Sequence, residues 1–109
     1  MKSSIYFHRM DISESVKKIV ELKSSKFEKL FGGQFELKWT LSKEGKTYHT
    51  HTVLISPHKT MNADSKSEDI YKSIEETSKK LLSQLTKYKE STRNPIHANS
   101  KIQDYDPLT

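Results

Sequence analysis

The chain switches between two hydrophobic periods, and each switch marks an element. In "SSIYFHR" (residues 3–9), Ile5 and Phe7 are two apart, on one face of a short strand. From residue 13 the step lengthens. Val16, Ile19, Val20, Phe27, Leu30 and Phe31 recur three and four residues apart, the stripe of an amphipathic helix. Ser13 is its predicted N-cap, Glu14 suits the positive end of the dipole, and Gly32-Gly33 supplies a left-handed stop. The period returns to two in "QFELKWTLS" (34–42). Phe35, Leu37, Trp39 and Leu41 share one face there, and Glu36, Lys38 and Thr40 the other. After a turn at "KEGK" (43–46), "TYHTHTVLIS" (47–56) predicts a β-branched return strand ended by Pro57, and "TMNADS" (60–65) a short fourth strand. Finally "SEDIYKSIEETSKKLLSQLTKYKES" (67–91) predicts a second helix. Ser67 is placed as its cap, Glu68 and Asp69 lie at its positive end, and Lys87 and Lys89 near its negative end. Ile70, Ile74, Thr77, Leu81, Leu85 and Tyr88 trace its stripe.

The fold class is therefore α+β, a β-α-β-β-β-α two-layer sandwich. The first strand returns through a helix and should lie parallel to the second, whereas short turns make the next three an antiparallel meander. This gives a four-stranded mixed sheet with two helices on one face and the other face open to solvent. Residues 1–91 form one domain. Residues 92–109, "TRNPIHANSKIQDYDPLT", carry Pro, Asn and Ser without a period, as expected of a flexible C-terminal tail.

Composition adds to this picture in three ways. Hydrophobic residues are 32% of the 109 and charged ones 30%, which an uncovered sheet face accounts for. Nineteen Lys and Arg against fourteen Asp and Glu give a net charge of +5, a balance that favours an anionic partner. No cysteine is present, so disulfides, thiolate catalysis and Cys-based zinc sites are excluded. The opening "MKSSIYFHRMD" lacks the apolar run of a signal peptide, and no stretch is long enough to span a bilayer, so a cytoplasmic location is expected.

Enzymatic chemistry finds little support. With three glycines there is no Gly-rich phosphate loop. His49 and His51 are two apart on a strand and face the same way, a pair that suits Zn²⁺ or Ni²⁺. A third ligand would have to come from His58 or His8, no HExxH signature exists, and no carboxylate is evident nearby as a base. The expectation is a protein that is no enzyme and uses no cofactor or metal.

The lysines are less easily dismissed. On the second helix, Lys80 and Lys87 stack on one flank of the apolar stripe with Gln84 between them. Lys79 points away from the core, and Lys89 lies on the opposite flank. The acids Glu68, Asp69, Glu75 and Glu76 sit in the first half, and from Thr77 to the helix end only Glu90 is acidic. On the first helix Lys23 falls near the centre of the stripe. This predicts that its methylenes line the core edge and its ammonium reaches water; Lys26 lies one step around. Scattered lysines keep a small domain soluble. Lysines bordering the buried stripe of two helices point instead to a surface for an anion.

Three features resemble the ribosome hibernation-promoting factor and ribosome-associated inhibitor family over about residues 3–90: the run Ile12 to Phe31, the "SEDIYKSI" opening and the "KKLLSQLTKYK" ending. The matching pattern is Asp69-Ile70-Tyr71, Ile74, Lys80-Leu81, Gln84-Leu85, Lys87 and Lys89, with Lys23, Lys26 and Phe27 matching on the first helix. Phe7 stands where members commonly have glycine, and His58-Lys59 in a turn often rich in it. The resemblance implies the same sandwich, in its short form without a C-terminal dimerisation module. It also implies binding, as a monomer when free, to the small ribosomal subunit in the cleft used by messenger and transfer RNA. Translation would then be blocked in stress or stationary phase. Lys23, Lys26, Lys80, Lys87 and Lys89 would be the contacts to ribosomal RNA. A general double-stranded RNA-binding module, whose α-β-β-β-α layout shares the plan, is the alternative. No membrane or small-molecule partner is expected, since both apolar stripes are needed for the core.

Overall fold

The computed structural model describes residues 2–32 and 34–93. The elements follow the predicted order: β1 (Lys2–His8), α1 (Glu14–Phe31), β2 (Glu36–Glu44), β3 (Thr47–Ile55), β4 (Thr60–Ser67) and α2 (Ile70–Arg93). The strands form one four-stranded sheet in the order β1-β2-β3-β4. β1 runs parallel to β2 and the other neighbours are antiparallel.

One face of the sheet supplies the core. Leu37, Trp39 and Leu41 of β2, Leu54 of β3, and Val20, Ile74 and Leu81 of the helices are fully buried. Each such side chain contributes about 1.5–3 kcal/mol of transfer free energy. Trp39 lies under α1, its indole Nε1 donating to Ser24 Oγ at 3.0 Å. Ile5 and Phe7 of β1 pack at the core margin.

Under α2 the inner face is unusually rich in hydroxyls. Thr50, Thr52 and Ser65 on the strands and Ser73, Thr77 and Ser78 on the helix are all buried. Thr50 Oγ1 and Ser73 Oγ are 2.7 Å apart, Thr77 Oγ1 donates to the Thr50 carbonyl at 3.2 Å, and Ser78 Oγ to that of Ile74 at 2.8 Å. Small side chains let helix and sheet approach closely; hydrogen bonds offset the desolvation of Thr50, Ser73, Thr77 and Ser78, whereas Thr52 Oγ1 is buried without a partner among the described residues.

Two departures from expectation concern helix boundaries and one concerns the stripe. Ser13 caps α1 as expected, accepting from Val16 N–H, and Gly32 ends it at φ 70. The cap of α2 is not Ser67, which extends β4 and pairs with Tyr48. Asp69 takes that place: its Oδ1 accepts from Tyr71 N–H at 2.9 Å and its carbonyl from Ser73 N–H at 3.0 Å. At the other end α2 reaches Arg93, two residues into the segment expected as tail; residues 94–109 lie outside the described residues. Leu30, placed in the α1 stripe by spacing, is 42% exposed, whereas Phe31 beside it packs against the core and meets the Phe35 ring edge-on.

Asp69→Ala should destabilise the fold by about 1 kcal/mol, the usual effect of losing an N-cap. Glu68→Ala should change stability far less. Urea unfolding followed by circular dichroism measures both, and equal effects would contradict the cap assignment.

Candidate nucleic-acid interface

The helical layer carries the charge of the molecule. α1 holds five lysines against three glutamates, and α2 six basic against three acidic residues. Together they account for eleven of nineteen basic and six of fourteen acidic residues, so the helices contribute +5 and everything else sums to zero. Each helix crosses back from a strand in the same sense, so α1 and α2 lie parallel on the sheet. Ser15 meets Tyr71 near their starts (3.2 Å between hydroxyls), Lys23 meets Glu75, and Lys89 donates to the Leu30 carbonyl near the end of α1.

The five lysines singled out by sequence fall into two groups. Lys23, Lys26 and Lys89 border the seam between the helices. Lys80 and Lys87 lie on the far flank of α2, beside β4. Lys26 and Lys87 are exposed. Lys80, also exposed, donates to the Asp64 carbonyl at 2.9 Å, and Gln84 donates to that of Asn62 at 2.7 Å. Both groups belong to one layer but not to one cluster.

Lys23 departs from expectation. Its ammonium does not run out to water; its side chain is 19% exposed and Nζ donates to both carboxylate oxygens of Glu75, 3.0 Å to Oε2. The hydrogen bond from Lys23 holds the Glu75 carboxyl below the usual range, slight burial opposes this, and the positive charges of Lys23, Lys79 and Lys26 reinforce it. The partner stands 52 residues away in the chain, out of reach of any local pattern.

On the uncovered face, alternation places His49 and His51 side by side, as spacing predicts. A carboxylate does stand beside them, contrary to expectation. Strand register aligns Asp64 with His51, and His49 Nε2 lies 2.9 Å from Asp64 Oδ2. This bond is the main cause of a lowered Asp64 carboxyl, again opposed by slight desolvation and helped by the charges of His49, His51 and Lys80. Among the described residues no three His, Asp or Glu side chains are grouped to hold a metal. No described helix is long and apolar enough to cross a membrane.

A family model described as "Sigma 54 modulation protein / S30EA ribosomal protein" matches residues 4–93. The chain belongs to that family. No curated protein matches the sequence significantly. Among solved structures, this S30EA-family chain is similar to the Protein Y N-terminal domain of Thermus thermophilus, with a TM-score of 0.73 and 20% identity over 81% of this chain and 99% of that one. It is also similar to a ribosomal subunit interface protein of Coxiella burnetii, with a TM-score of 0.69 and 24% identity over 83% and 99%. At these identities both likenesses bear on the fold.

The paired carboxylates set a pH dependence. A carboxyl lowered in the folded state stabilises above its unfolded value, and that stabilisation is lost as pH falls through the folded value. The stability difference between wild type and Glu75→Gln should therefore be largest near neutrality and vanish below the ordinary glutamate range. Urea midpoints measured across that range check it; a difference independent of pH would remove the ion pair from the account.

Proposed function

We propose that this protein is a ribosome hibernation factor. The domain binds the small ribosomal subunit through its helical layer, in the cleft where messenger and transfer RNA are decoded, and blocks translation by occupying it. Such a role belongs to stress, starvation or stationary phase and to the cytoplasm, with the protein monomeric before it binds. No covalent chemistry is involved. The observation that carries the reading is the confinement of the whole net charge to the two helices, on a chain of the S30EA family. The similar fold of a ribosomal subunit interface protein from Coxiella burnetii is consistent with a ribosomal partner.

The electrostatics suit folded RNA. Lysines act as point charges on phosphate, and the compact grooves of folded RNA are recognised by backbone and shape. Lys26 and Lys87 offer exposed ammonium groups at once. Lys80 exchanges a carbonyl for a phosphate oxygen, while Lys89 and Lys23 already hold fixed positions against α1 and Glu75. Five phosphates neutralised would give a slope of log affinity against log salt of about −4.

Lys80→Glu combined with Lys87→Glu should leave the circular dichroism spectrum intact and abolish co-sedimentation with small subunits in sucrose gradients. Unchanged co-sedimentation would remove these residues from the interface. In competition, plain duplex RNA should displace the protein from small subunits poorly; equal affinity would favour a general duplex-RNA module.

A further inference from the structure

We infer that Glu75 is an internal placeholder for a ligand phosphate: with Lys23, Lys26 and Lys79 it forms a phosphodiester-binding site between the helices, from which its carboxylate withdraws when the ligand arrives. The inference rests on the proposed RNA partner and identifies one site and its mode of exchange.

The asymmetry of the pair supports this. Lys23 is the less exposed member: its side chain is 19% exposed, one helical turn from the partly buried Ile19. Glu75 is 46% exposed and can swing into solvent. The anion is therefore the exchangeable member. A phosphodiester carries the same single charge as the carboxylate, so exchange never leaves the half-buried ammonium uncompensated. Lys26 and Lys79, both exposed, act on the same position, since their charges help lower the Glu75 carboxyl. Lys26 follows Lys23 by three residues on α1 and Lys79 follows Glu75 by four on α2, so each stands about one helical turn from a member of the pair. Lys23 and Lys26 also line, with Ile19, Leu22, Ser25 and Lys29, an open depression formed by α1 alone. The helices are also joined across the seam by Ser15 with Tyr71 and by Lys89 with the Leu30 carbonyl.

Glu75 then sets selectivity. A monovalent anion must compete with a tethered carboxylate, whereas an RNA strand that also engages other lysines displaces it readily.

The test uses the full chain and a twelve-nucleotide oligouridylate. Glu75→Gln is compared with Glu76→Gln, which removes the same charge from the other flank of α2, where Glu76 Oε1 accepts from Ser65 at 2.9 Å. Glu75→Gln should bind about 1.5- to fivefold more tightly than Glu76→Gln, the range expected for releasing one partly exposed pair. In the wild type, ¹³C NMR of the Glu75 carboxyl should show its titration returning to the usual range at saturating oligouridylate. Equal affinities of the two variants, a Glu75 titration unmoved by RNA, or no binding by the wild type would each overturn the inference. Co-sedimentation with small subunits is measured in parallel. Subunit binding with equal variants sinks the placeholder alone; oligouridylate exchange without subunit binding sinks the ribosomal reading alone.

Discussion

One-sided burial of the sheet is the constraint on which the rest depends. Leu37, Trp39 and Leu41 all turn to the same side of β2, and with Phe35 just before it and Leu54, Met61 and Ala63 they leave a single apolar surface to be covered. Two helices are what the chain has to cover it. Because each returns from a strand running the same way, they arrive parallel and side by side. Their outward surfaces form one continuous layer, and the charges of two segments far apart in sequence become neighbours. The rest of the chain, by contrast, sums to no net charge.

The attachment of α2 shows how a chain of modest hydrophobicity holds such a layer in place. Across Thr50, Ser73 and Thr77 it relies on close approach and reciprocal hydroxyl bonds, while Ile74, Leu81 and Leu85 supply apolar contact on the same helix. Hydrogen bonds between buried hydroxyls are directional, so they fix the rotation of the helix about its axis. That rotation in turn puts Glu75 towards α1 and Lys80 towards β4. Position of charge at the surface thus follows from polar contacts beneath it.

Periodicity and caps made the layers legible in advance: the stripe through Val16 and Val20, the alternation through Leu37 and Trp39, and Gly32 as a left-handed stop all occupy their expected places. What sequence could not supply were pairings across elements. Asp69 displaced Ser67 as a cap because β4 continues to pair with β3 as far as Ser67, and strand length is set by the neighbour. Glu75 is one acid among four in the first half of a helix until packing brings Lys23 against it. Asp64 reaches His49 only through the register of two strands. In each case the missing information was a distance between segments, which no local spacing encodes.

The contacts of Lys80 and Gln84 have a consequence for behaviour at high concentration. β4 is the last strand of its sheet, and an open strand edge is a template on which other chains polymerise. Donors from α2 occupy the carbonyls of Asp64 and Asn62, denying an incoming strand two of its acceptors. If Lys80 turns to an RNA phosphate, the bound macromolecule itself shields that border. The same side chain then guards against self-association in the free protein and serves recognition in the complex.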